Sequence, residues 1–327
     1  MTTEPAAPSP RPGPRWRLYL YRLGLVIGVG LFGYHLWRGY TGLQAQPISG
    51  AVVGRLGLAV LVVIGVDWVQ IAAWVLIMRA LGVRLPGMVA AIRGYMVAGL
   101  ARYIPGGIWG LASRSQWLRE AYGVPFMLGN LGALLEMGGM LTGALLLVLS
   151  YGVITLPGWE RWLVLALAGL VGLGAWLGPW AAARTPAAGW LTRRGVPMAA
   201  MTDLSLGIWA GALLIYGLVW SGLGLALLLI AQSLGAAPTA SWLASAFAYA
   251  LAWSAGLVFV LAPAGLGVRE LALTSLLASL LGLGPAAASA TAVLARFAIS
   301  LAETFWLGTG VLLSWLRPEW LKPPSPR

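Results

Sequence analysis

The sequence predicts an all-α polytopic membrane protein with six long spans and two Pro/Gly-broken re-entrant hairpins in an inverted repeat. Three observations predict it: composition, the length of the apolar runs, and the placement of arginine. Of 327 residues, 60% are apolar and 9% charged, with mean hydropathy +0.85, whereas a soluble domain is about a quarter charged. A soluble globular enzyme is therefore excluded. The net charge of +12 comes almost wholly from arginine, since Lys322 is the single lysine, and it points to membrane orientation rather than nucleic acid. With no Cys and one His, His35, disulfides, thiolate metal sites and histidine-based catalysis lack material. No cofactor, no metal and no catalytic residue is expected.

Taken in order, residues 1–17 are rich in Pro and polar residues, carry Arg11, Arg15 and Arg17, and read as a disordered cytoplasmic tail rather than a signal peptide. About 20 apolar residues cross a bilayer. The runs Leu18 to Trp37 and Leu56 to Met78, and those near 124–151, 163–182, 204–235 and 285–316, meet that length. A single membrane domain thus covers 18–316, followed by a second cytoplasmic tail, 317–327, and no appended soluble domain is expected.

Between these runs lie two apolar but interrupted stretches, roughly 86–122 and 238–283. The first has only about a dozen apolar residues before Arg102, too few to cross at about 1.5 Å per residue. In the second, Trp242 to Ala262 is long enough to span. Both are read as re-entrant hairpins, because a break frees backbone groups that only protein or water can satisfy.

Arginine placement sets the topology. With the amino terminus inside, the inner segments hold Arg11, Arg15, Arg17, Arg22, Arg79, Arg84, Arg93, Arg114, Arg119, Arg184, Arg193, Arg194, Arg317, Lys322 and Arg327. The outer segments hold only Arg38, Arg55 and Arg161. This asymmetry predicts six crossings of the cytoplasmic membrane with both termini inside.

The order of features repeats. Trp74 to Pro86 (WVLIMRALGVRLP) and Leu225 to Pro238 (LALLLIAQSLGAAP) each end a span. A broken helix follows each, at Pro105, Gly106 and Gly107 or at Pro263, Gly265 and Gly267, then a basic residue, Arg114 or Arg269. A long span with an ionisable residue closes each unit, Glu136 or Arg296. The repeats run from about 51 to 151 and 204 to 316. Three crossings separate their starts, so the second is inverted, the arrangement of secondary transporters.

The elements RYIPGGIW, Arg102 to Trp109, and PAGLGVRE, Pro263 to Glu270, resemble the YxPGxxW and PxGxGxRE elements of the lysylphosphatidylglycerol synthase transmembrane family, also called flippase-like membrane proteins. The pattern of spans is similar from about Leu18 to Trp315. The resemblance implies lipid translocation. It implies as substrate a polyprenyl-phosphate-linked sugar or an aminoacyl phosphatidylglycerol, and as partner a separate glycosyltransferase or aminoacyltransferase. The first element departs from the PxxGGD form usual in the phospholipid-resistance members.

An ionised group at bilayer depth costs roughly 2.5 to 3.5 kcal/mol unless paired or hydrated. Arginine suits phosphate because its planar fork binds two oxygens and stays charged. Arg102, Arg114, Arg269 and Arg296 are therefore candidates for a cationic cavity around a lipid phosphodiester, the alternative being that Arg269 pairs with Glu136 or Glu303 to hold the bundle. Glu136, among small residues in LGALLEMGGML, is a proton-coupling group or a counter-charge. Glu303, two helical turns after Arg296, is expected to share its cavity, whereas Glu270 is expected to point away from Arg269. Asp67 lies mid-way along the second span and is either functional or a satisfied interhelical contact. Trp109, directly after the first break, lines the lipid path or anchors the hairpin.

A membrane transferase would need a positioned base or a metal-holding acidic cluster at an aqueous face. The loop from Arg38 to Arg55 has no acidic residue and 152–161 has only Glu160. The expected function is accordingly lipid translocation without catalysis, or an accessory role beside a membrane glycosyltransferase.

Overall fold

The computed structural model describes residues 30, 33–34, 37–41, 44, 50–103, 109–258, 265 and 267–321. Helices α1 (Gly50–Ala80), α2 (Met88–Ile92), α3 (Trp109–Tyr122), α4 (Phe126–Thr155), α5 (Glu160–Ala182) and α6 (Pro186–Arg193) come first in the chain. They are followed by α7 (Met198–Thr202), α8 (Leu206–Ser233), α9 (Trp242–Val258), α10 (Val268–Leu281) and α11 (Pro285–Leu316), and no strand occurs among the described residues. Five of these, α1, α4, α5, α8 and α11, are long and apolar enough to cross a membrane, so the chain is a multi-pass helical membrane protein. The expected span from Leu18 to Trp37 lies largely outside the described residues, the tail 1–17 wholly so, and of the tail 317–327 residues 317–321 are described.

Each interrupted stretch is two helices about a break. After α2 the chain continues as a π-helical stretch, Arg93–Val97, and a 3₁₀ turn, Ala98–Tyr103, before α3. The widened turn coincides with a close contact: Gly94 has no side chain where the Trp117 ring of α3 packs against its backbone. In the second stretch α9 and α10 flank the break. The breaks themselves, including Pro105, Gly106, Gly107 and Pro263, lie outside the described residues, while Gly265 and Gly267 take left-handed φ of +66° and +79°.

The element order recurs in detail. α3 and α10 are both 14 residues long. Each is followed by a glycine with left-handed φ, Gly123 at +68° and Gly282 at +65°, and then by a 30- or 32-residue helix, α4 or α11.

α1 and α8 pack along much of their length and run antiparallel: Arg55 near the start of α1 donates to the Gln232 carbonyl at the end of α8 (3.0 Å), and Val66 packs on Gly222. The arginine count puts Arg55 in a loop. In the structure α1 begins five residues before it, and the guanidinium satisfies a carboxyl-terminal carbonyl of α8 that its own helix cannot.

Two further contacts cross between the halves. Tyr151, 25 residues after Phe126 at the head of α4, stacks on Phe247 of α9 with centroids 4.5 Å apart. Gly310, likewise 25 residues after Pro285 at the head of α11, packs on Ile92 and Val97 at the end of α2 and in the π stretch.

α5 has no fully buried residue and presents leucine and tryptophan to its surroundings along much of its length, as a lipid-exposed helix does. Pro179 inside it cannot donate to the carbonyl four residues earlier, Ala175. That carbonyl instead accepts the indole N–H of Trp209 on α8 at 2.9 Å, while Trp176 donates to the Leu206 carbonyl at 3.1 Å. Trp209→Phe strands the Ala175 carbonyl in an apolar layer. The expected cost is about 1 to 3 kcal/mol, read as a lower melting temperature in detergent; an unchanged melting temperature would refute this role.

Candidate functional site: two arginines on tyrosine rings

The buried charges form two clusters built alike. Tyr95 lies seven residues after Met88, the start of α2, and Tyr249 seven after Trp242, the start of α9. Each ring carries an arginine from the following 14-residue helix: Arg114 of α3 stands 4.8 Å from the Tyr95 centroid and Arg269 of α10 stands 4.6 Å from that of Tyr249. A guanidinium over an aromatic face gains about 0.5 to 2 kcal/mol.

In the first cluster a carboxylate closes the balance. Arg114 Nη2 lies 2.6 Å from Glu136 Oε2, and the Tyr95 hydroxyl donates to Oε1 at 2.5 Å. Trp74 of α1 bounds the guanidinium, with its ring 5.7 Å away. Glu136 is buried because of the face it shares: Gly132 before it and Gly139 and Gly143 after it stand at helical spacing, and at those glycines Met78, Tyr216 and Trp220 press against the α4 backbone. Arg114 and Glu136 together carry no net charge.

In the second cluster the balance stays open. Arg269, half-buried, borders a cleft with Tyr249, Glu270, Leu273 and Arg296. Glu270 is committed elsewhere. Its Oε2 accepts the backbone N–H of Gly267 at 2.7 Å, capping α10, and its Oε1 lies 3.8 Å from Arg296 Nη1. Arg269 and Arg296 against Glu270 leave one positive charge. Among the described residues Arg269 has no carboxylate or hydrogen-bond acceptor of its own, and its contact is the Tyr249 ring.

In this conformation the cleft is narrow, with room for about one water molecule. It shares Tyr249 and Ala295 with a second, equally narrow cleft lined by Val63, Leu223, Ala226, Leu227, Ile230, Ala298 and Ile299. A cationic niche thus adjoins an apolar groove.

The glycines of the break position this niche. A Cβ on Gly265 would lie 2.8 Å from Gly256 Cα, and one on Gly256 would lie 3.2 Å from Arg269 Cβ. Gly265 therefore lies on α9 with backbone against backbone. Gly265→Ala meets both a clash with main-chain atoms and a left-handed φ that L-residues avoid. The expected result is at least a several-fold loss of monodisperse protein on size exclusion, and wild-type yield would overturn this account of the break.

The structure thus separates candidates that sequence reasoning grouped. Arg114 and Arg269 lie in different clusters, and Arg269 pairs with neither Glu136 nor Glu303. Glu270 does not point away from Arg269: the capping bond to Gly267 turns its carboxylate into the same cleft. Glu303 does not line that cleft, because seven residues along a helix advance it about 10.5 Å from Arg296. Arg102 lies in the 3₁₀ turn and Trp109 opens α3. Asp67 is buried mid-way along α1.

Tyr95, Tyr249 and Tyr216 were missed. Their signal is present but slight: a tyrosine at the same step of each short apolar helix, and one tyrosine in the apolar run of α8. Among the described residues no group of three or more His, Asp or Glu converges on a metal position. No family model matches the chain, and no curated protein is significantly similar to it.

Proposed function

We propose that this protein is a lipid translocase that carries an anionic head group, that of a polyprenyl-phosphate-linked sugar, across the cytoplasmic membrane. The observation that carries the reading is the uncompensated Arg269, set in a cationic cleft that adjoins an apolar groove through Tyr249 and Ala295. A buried cation without a carboxylate favours an anion, and an apolar groove beside it suits an amphiphile whose tail stays in hydrocarbon. The arginine fork fits two phosphate oxygens.

The net positive charge of the cleft also ranks the substrates. A phosphodiester carrying a neutral sugar is attracted, whereas a lysyl phosphatidylglycerol head, with two ammonium groups against one phosphate, is repelled. The latter remains the alternative substrate that the family resemblance suggests.

In this reading the two halves form an inverted repeat. It is supported by the antiparallel course of α1 and α8, the matched lengths of α3 and α10, and the equivalent contacts of Tyr151 and Gly310. The broken pairs α2–α3 and α9–α10 are the re-entrant elements, and both termini are cytoplasmic, as the arginine asymmetry suggests. The chain then belongs with the flippase-like membrane proteins and works beside a separate glycosyltransferase.

The test is head-group translocation in proteoliposomes. A fluorescent polyprenyl-phosphate sugar is expected to cross at least tenfold faster than in protein-free vesicles, and faster than an aminoacyl phosphatidylglycerol. Equal rates with and without protein for both lipids would sink the reading and favour an accessory role; preference for the aminoacyl lipid would reassign the substrate.

A further inference from the structure

The two Arg-on-Tyr clusters differ in one respect, the occupant of the arginine. Arg269 faces a cleft. Arg114 faces the Glu136 carboxylate, which is held as a bound oxyanion would be: by the guanidinium at 2.6 Å and by the Tyr95 hydroxyl at 2.5 Å. A third donor stands unused. Tyr216 of α8 is fully buried, its hydroxyl has no hydrogen-bond partner among the described residues, and its ring packs on Gly139, about one turn along α4 from Glu136. A buried hydroxyl left unmade costs about 1 to 3 kcal/mol. The Glu136 carboxylate accepts one hydrogen bond at each oxygen, from Tyr95 and Arg114, and none from Tyr216. A phosphate offers further acceptor oxygens, enough for the guanidinium and both phenols.

We propose that Arg114, Tyr95 and Tyr216 form a second oxyanion station, for a phosphate group, which Glu136 occupies in this conformation as a built-in ligand. The inference deepens the translocase reading, and rests on it for its role: Arg269 is the open station, Arg114 the closed one, and release of Glu136 exchanges them. α8 stands between the two. Tyr216 serves the first cluster, and Trp220, one turn on, lies 6.3 Å from Tyr249 in the second and donates to the Met140 carbonyl of α4 at 2.9 Å.

Calorimetric titration of the full chain in detergent tests this, with dioctanoyl phosphatidylglycerol in one arm and inorganic phosphate in the other, so that a lipid head group and a free anion are told apart. Wild type is expected to bind one equivalent. Glu136→Gln, which removes the competing charge and keeps the shape, is expected to bind two. The added equivalent disappears in the Glu136→Gln, Arg114→Gln double variant and is weakened at least fivefold when Tyr216→Phe is added to Glu136→Gln.

No added equivalent in Glu136→Gln with either probe overturns the proposal, even if wild type binds one at Arg269. If wild type binds none and Glu136→Gln binds one, the Arg269 reading fails and the second station stands. Should Glu136→Gln not fold, Glu136→Asp is read instead: it keeps the charge of the pair, and its shorter side chain withdraws the carboxylate from Arg114 and Tyr95. Binding above one equivalent at saturation supports the proposal, and binding unchanged from wild type overturns it.

Discussion

Replacing Arg269 by glutamine lowers head-group translocation about a hundredfold and leaves the melting temperature unchanged or a few degrees higher. The activity loss follows from two charge-assisted hydrogen bonds to phosphate, each about 1.5 kcal/mol, hence about 3 kcal/mol in all, or two factors of ten. The stability gain follows from what Arg269 lacks. Among the described residues its partner is the Tyr249 ring, and it stands in a cleft with Arg296, whose carboxylate is shared with the cap of α10. Removing an uncompensated charge at depth relieves repulsion and a desolvation cost. Translocation in proteoliposomes and thermal unfolding in detergent are measured on the same preparation. A melting temperature that falls along with activity would make Arg269 a structural residue, and wild-type translocation would place the lipid path elsewhere.

The opposite signature is expected at the first cluster. Glu136→Gln or Arg114→Gln alone leaves a buried charge without its partner, a loss of about 3 to 5 kcal/mol, whereas the double substitution removes both charges and recovers much of it. Thermal unfolding of the four proteins closes the cycle. A double variant no more stable than the singles would mean that the pair's surroundings, rather than its charge balance, hold α3 to α4. The contrast between the clusters is the useful quantity: one arginine is expected to stabilise the bundle and the other to strain it, although both stand on tyrosine rings at nearly the same distance.

The long helices are legible from residues alone because an uninterrupted apolar run of their length has one outcome in hydrocarbon, the helix that satisfies its own backbone. The breaks are legible for the same reason, since proline and glycine interrupt that satisfaction. The partners of the charges are not. Glu270 shows why: adjacent helical positions point apart by about 100°, but it sits at a helix start, where the backbone N–H of Gly267 recruits its side chain. Glu303 fails in the reverse sense, since a shared face does not supply a shared height. The Trp209 bond to Ala175 depends on which helix lies beside Pro179, and no spacing within one helix encodes that. Arg114 and Glu136 are each recognisable as costly residues, but only packing at Gly132, Gly139 and Gly143 decides that they meet.

The crossed contacts of Tyr151 with Phe247 and of Gly310 with Ile92 carry a mechanical consequence. Each half rests the far end of its last helix on the broken helix of the other, so a displacement at one break is delivered to the opposite half as a lever delivers load across its pivot. Under the proposed translocation the two halves move in a single stroke, and neither moves independently without lifting Tyr151 off Phe247. Because the chain has no cysteine of its own, a thiol pair placed across that one contact would be an unambiguous latch on the whole stroke.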